Sequence, residues 1–192
     1  MINRCTEIII NWLINCEAIE ETDRSLYEYA LYSIFLTISP VFLVVLLGNI
    51  FGFLRESFLI IIPFFILRKY CGGYHTKKAW LCIIESSLLL ILCIFISSII
   101  KCNNLLLIFT IYSMISLGYF SPMDNENKIL RSEERNAYKK NTVIVLLILG
   151  IIELILLYLK MNIEVKCISM GIMLTAFMQY PSIVIKAKNA QK

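Results

Sequence analysis

His75 and Cys82 carry the most chemistry in this chain: an imidazole base and a thiol, seven residues apart in RKYCGGYHTKKAWLCIIES. His75 is the only histidine, and the chain has no HExxH, GxSxG, GxGxxG or GxxxxGK pattern. A zinc peptidase, a hydrolase elbow, a dinucleotide loop and ATP-driven transport therefore lack their parts. Cysteine and that one histidine remain for covalent chemistry. On one continuous helix, seven residues span about 10.5 Å, too far for a hydrogen bond. If a helix instead begins near residues 77–79, Cys82 falls in its first turn or so. His75 then stays on the loop and can fold back over the thiol, with Gly72 and Gly73 as permissive backbone. The helix amino terminus, an imidazolium at His75, and Arg68, Lys69, Lys77 and Lys78 would all stabilise a thiolate. A nucleophile with a base in reach is the general arrangement of covalent catalysis. The plainer reading is a packing cysteine, a solvated histidine and lysines that the membrane's charge rule wants in any case. Spacing alone leaves both open.

Glu85 follows Cys82 by three residues, which places it on the same helix face by spacing. It can orient His75, contact a cationic substrate group, or pair with a lysine across the interface. Ser86 and Ser87 are further hydrogen-bonding candidates. Glu153 is a second carboxylate inside an apolar run, with no evident partner in the sequence. Seven cysteines (Cys5, Cys16, Cys71, Cys82, Cys93, Cys102 and Cys167) are scattered without a CxxC pair. That pattern argues against a disulfide framework and a zinc cluster, so no metal and no cofactor is expected.

The elements that must position these groups are membrane helices. The 192 residues are 59% apolar and 17% charged, with a mean hydropathy of +0.77, far from the balance of soluble domains. Such a chain cannot bury its apolar surplus in one core, and its charges fall between long apolar runs. A disordered chain, a disulfide-stapled module and an ordinary cytosolic enzyme are excluded. The net charge of +4 is too small and dispersed for nucleic-acid binding. The expected fold is all-α: a polytopic integral membrane protein of about six segments, preceded by an amphipathic helix.

Residues 1–29 form that amphipathic segment. Ile2, Cys5, Ile8, Ile9, Trp12, Leu13, Cys16 and Ile19 make one apolar stripe, packed on the membrane domain, lying in the lipid interface, or both. Its acids and bases break up any cleavable signal. Residues 30–185 follow as the membrane domain. The uncharged run 30–53 is 24 residues long, about 36 Å of helix, and Pro40 is a candidate kink. Residues 57–67 make only about 16 Å, which predicts a short, tilted or re-entrant segment, or one that borrows length from its flanks. Further spans are read at 79–100, 105–120, 143–159 and 167–185, with a polar loop over 121–142. Residues 186–192 are a tail. With the amino terminus inside and six crossings, fourteen Lys and Arg fall on one face and four on the other. Both termini and the 68–78 loop are then cytoplasmic.

The stretch RKYCGGYHTKKAWLCIIES resembles the signature of the accessory gene regulator B family, membrane cysteine endopeptidases of Gram-positive quorum sensing. The family pattern is arginine, glycine, histidine, then cysteine after six residues, often followed by Glu-Ser; here it reads Arg68, Gly73, His75, Cys82, Glu85 and Ser86. The length, the multiple spans and the SPMDNENK loop at 121–128 are similar too. Thr76 departs from the small residue expected there. The resemblance implies that Cys82 is the nucleophile and His75 the general base, with Arg68 and Gly73 supporting the site. It implies cleavage of a short AgrD-like propeptide near its carboxyl end, in the cell membrane of a Gram-positive bacterium, and a homodimer. A thioester at Cys82 retains acyl-transfer potential, so a propeptide side chain can close a thiolactone or lactone ring without ATP if water is excluded. Residues 68–78 carry four basic and no acidic side chains, which favours an acidic region on the propeptide; Lys77 and Lys78 are the expected substrate contacts. The alternative is a peptide exporter component without proteolytic chemistry, in which Glu85 and Glu153 line a pathway.

Overall fold

Backbone amides in lipid must find partners within their own segment, so apolar runs of this length fold as helices. A computed structural model of the chain describes residues 2–72, 79–123 and 131–190. Those residues hold α1 (Ile2–Asn15), a 3-10 turn (Glu21–Asp23), α2 (Arg24–Ile50), α3 (Leu54–Cys71), α4 (Ala79–Ile99), α5 (Asn104–Phe120), α6 (Ser132–Tyr158) and α7 (Asn162–Ala190). The fold is all-α, with no strand among the described residues. Trp80–Ile99, Ser132–Tyr158 and Asn162–Val184 are long and apolar enough to cross a membrane; Ile38–Ile50 and Asn104–Phe120 are shorter apolar stretches. Leu88, Ile99, Ile108, Leu147 and Tyr158 all face outward. Such an apolar surface is costly in water and natural in lipid.

α7 is the centre of the bundle and packs against α3, α5, α4 and α6. Lipid tails are as apolar as leucine, so helices in a bilayer associate through close van der Waals contact and small residues. α7 supplies such a seam. Cys167, Gly171, Thr175 and Gln179 recur every fourth residue, and all are buried. A Cβ on Gly171 would lie 2.7 Å from the Ile60 carbonyl oxygen and 2.8 Å from Pro63 Cγ. Only glycine lets the α7 backbone come this close to α3. Around the seam, Ile60, Phe64, Leu90 and Met170 form one apolar cluster, and Leu67, Leu117, Leu149 and Ile172 another.

Several boundaries differ from the sequence-based expectation. α3 is one continuous helix of 18 residues, about 27 Å long. The apolar run at 57–67 has borrowed helical length from its flanks. Arg55 and Glu56 lie in its first turn, Arg68 and Lys69 in its last, where charged heads can leave the apolar layer. α2 runs on through Pro40. α6 starts at Ser132, eleven residues before the expected 143, because the charged stretch is helical; Glu133 and Glu134 favour its amino terminus. Residues 1–29 are not one helix. α1 ends at Asn15, and Glu17 takes a left-handed φ of 54° before the chain turns toward α2. α1 buries Thr6 and Ile10, which lie outside the predicted stripe, against the protein, whereas Cys5, Ile8 and Trp12 of the stripe are exposed and Ile9 and Leu13 half-buried.

Two connections are built by local chemistry. Asn103 caps α5, its side chain accepting the Leu106 N–H at 3.0 Å. α6 closes on paired bonds, Lys160 N–H to the Leu157 carbonyl and Met161 N–H to the Leu156 carbonyl, with Lys160 at φ 57°.

Candidate active site

The end of α3 and the beginning of α4 bracket residues 73–78. Arg68 sits half-buried in the last turn of α3, and Cys82 is the fourth residue of α4. Helical rotation of about 100° per residue puts Cys82 on one face with Leu90 and Cys93. All three point into the bundle, and Cys82 is 8% exposed. Trp80, Ile84 and Leu88 occupy the outward face. Glu85 is exposed and Ser86 half-buried. Three residues rotate Glu85 about 60° from Cys82, enough to put one carboxylate outside while the thiol stays in. The shared face expected from spacing is thus divided.

Arg68 and Cys82, fourteen residues apart, stand on two helices that pack against each other, α3 and α4. A cation in the last turn of α3 complements that helix's carboxyl-terminal dipole. His75, Gly73, Lys77 and Lys78 lie outside the described residues. Among the described residues, no three His, Cys, Asp or Glu side chains gather as a metal site would require.

The point where the chain leaves α3 is fastened by residues that motif reading did not single out. The Cys71 carbonyl accepts the Met123 N–H at 2.9 Å. Gly72 has φ 69°, and a Cβ there would lie 2.4 Å from the Met123 carbonyl oxygen, so glycine is required on two counts. Arg68 Nη1 reaches the Gly72 carbonyl at 3.5 Å. Cys71 Sγ lies 3.9 Å from Thr142 Oγ1 of α6. Gln179 of α7 is fully buried, with Nε2 donating to Ser121 Oγ at 3.0 Å and to the Cys71 carbonyl at 3.4 Å. The Ser121-Pro122 peptide between these partners is cis. The available signals were the paired glycines and a lone glutamine in an apolar helix, and neither has a diagnostic spacing. Elsewhere, buried Glu153 finds the partner that sequence did not supply, accepting from Ser169 Oγ at 2.9 Å. Arg55 pairs with Glu164, joining the first turns of α3 and α7.

Over residues 6–179 the chain matches the family model described as accessory gene regulator B. AgrB-like protein 2 of Clostridium perfringens (strain 13 / Type A) is 27% identical over 148 residues, covering 72% of this chain and 69% of that protein. FsrB of Enterococcus faecalis (strain ATCC 47077 / OG1RF) is 25% identical over 145 residues, 71% of this chain and 60% of its own. An AgrB-like protein of Listeria monocytogenes serovar 1/2a is 28% identical over 137 residues, 70% and 67% of the two chains. No solved structure matches the chain.

Proposed function

The chain belongs to the accessory gene regulator B family of quorum sensing, and on that premise we propose that it is a membrane-embedded cysteine endopeptidase. Its substrate is a short AgrD-like propeptide, cut near the carboxyl end on the cytoplasmic side of the cell membrane. The observation that carries the reading is the family match over residues 6–179, with Cys82 buried in the first turn of α4 and Arg68 in the last turn of α3, on either side of the segment that contains His75.

The chemistry follows from the groups. His75 takes the proton from Cys82 Sγ, and the sulfur attacks the scissile carbonyl carbon. A C–S bond forms, and the carbonyl oxygen becomes an oxyanion, with the Arg68 charge nearby to stabilise it. Collapse breaks the C–N bond, and His75 returns its proton to the departing amine. The propeptide fragment is left as a thioester on Cys82. A thiol or hydroxyl within that fragment attacks the thioester carbonyl and closes the ring. The C–S bond breaks, and the proton given up by the attacking group returns to Cys82. Water would divert this step to a linear acid, and the buried setting of Cys82 is what opposes it. Lys77 and Lys78 contact acidic residues of the propeptide; Glu85 and Ser86 have supporting places.

Mass spectrometry of co-expressed propeptide tests this reading. Wild type yields a shortened peptide, lighter by one water than the linear fragment, and Cys82→Ala and His75→Ala yield none. Identical peptide spectra from all three proteins sink the peptidase reading. A purely linear product sinks the cyclisation step alone.

A further inference from the structure

We infer that Gln179 of α7 is a positioning residue for the active site, acting through Cys71 and Gly72 on the segment that carries His75. The inference rests on the endopeptidase reading above. Three segments distant in sequence meet at one backbone carbonyl. The Cys71 oxygen accepts from Met123 N–H at 2.9 Å and faces Gln179 Nε2 at 3.4 Å. The same Nε2 donates to Ser121 Oγ at 3.0 Å. The 121–123 segment is thereby tied to α7 on one side and to the end of α3 on the other. It leaves no room at Gly72 for anything beyond hydrogen, since a Cβ would meet Met123 O at 2.4 Å. The direction in which the chain departs from α3 is fixed at that residue. His75 follows Gly72 by three residues, at most about 11 Å of extended chain, so the exit at Gly72 bounds where the base can reach.

Stability alone does not explain a glutamine here. Gln179 is fully buried, and its Oε1 has no hydrogen-bond partner among the described residues. An unpaired amide oxygen in the interior costs free energy that an apolar side chain of similar shape would not. One turn earlier on the same seam, Thr175 satisfies its own hydroxyl by bonding to the Gly171 carbonyl. Gln179 instead extends its amide across to two other segments. What its amide secures is the register between α7, the 121–123 segment and the end of α3.

The test uses full-length protein in lipid nanodiscs with a synthetic propeptide of the type cleaved in co-expression. Gln179→Met keeps the volume and removes the amide. It should lower kcat by about tenfold or more, as displacement of a catalytic group by a fraction of an ångström does. KM should stay within about threefold, and the unfolding midpoint should hold or rise. Site-resolved alkylation of Cys82 by iodoacetamide should slow in the same variant if the base activates the thiol as proposed. Ser121→Ala removes one of the two acceptors; it should lower kcat by a smaller factor and add nothing when combined with Gln179→Met. Unchanged kcat in Gln179→Met overturns the inference, as does a loss that merely follows the folded fraction. If Gln179→Met does not fold, an unchanged kcat in Ser121→Ala overturns it. Cys82→Ala run alongside separates the two ideas. Its retention of cleavage defeats the peptidase reading, whereas an inactive Cys82→Ala beside a fully active Gln179→Met defeats the positioning role alone.

Discussion

The residues of the candidate site divide by how they use charge and space. Arg68 offers a planar guanidinium that lysine does not reproduce, because an ammonium is a compact, more strongly hydrated charge. On the proposed mechanism, Arg68→Ala should lower kcat for propeptide cleavage by about 100-fold, the order lost with one oxyanion donor. Arg68→Lys should recover only part of it, and steady-state cleavage assays of the two variants decide the matter. Gly72→Ala is a test of backbone. With φ at 69° and Met123 O in the path, the new methyl should destabilise the protein by more than about 1 kcal/mol; thermal unfolding in nanodiscs reads this, and cleavage should fall with it. How much of this was legible depends on distance along the chain. Cys82 and Arg68 both stand in the motif, and the start of a helix near residue 79 was readable beside them. How α3 and α4 pack was not, because packing depends on the rest of the bundle. Gln179 and Ser121 lay further out of sight. A single amide in an apolar helix repeats nothing, and its partners are 58 and 108 residues away.

At the scale of elements, apolar run length announced the helices, and charge hid their ends. α3 looked like half a span because Arg55 and Arg68 interrupt the count, yet charges in the first and last turns are compatible with a helix that continues past them. The start of α6 was hidden in the same way by the charged stretch after Ser132. The α3–α7 seam depends on Gly171. Gly171→Ala puts a methyl 2.7 Å from a backbone oxygen, which cannot rotate aside, and should cost about 1–3 kcal/mol. Equilibrium unfolding in mixed micelles reads that loss. The α6–α7 turn gives a prediction of opposite sign. Lys160 holds a left-handed conformation that glycine adopts without strain, so Lys160→Gly should stabilise by up to about 1 kcal/mol. A fall in stability on the same measurement would mean that the lysine side chain makes contacts worth more than the strain it bears.

For the whole molecule, the distribution of basic residues sets the orientation proposed for it. Reporter fusions after residue 190 should be active only in the cytoplasm, and fusions at residues 101–103 only outside; the reverse would put the 68–78 segment on the wrong face for a cytoplasmic propeptide. The central position of α7 bears on how the protein comes into being. Ribosomes deliver α2 through α6 before the helix that unites them. During that interval the future partners of α7, Ile60 and Pro63 on α3 among them, must lodge against lipid or each other. The seam closes only after residue 179 has emerged, so the end of α3 acquires its fixed exit late in synthesis. On the proposed mechanism, a nascent chain therefore carries its thiol before it carries the geometry to use it, and activity switches on with completed assembly.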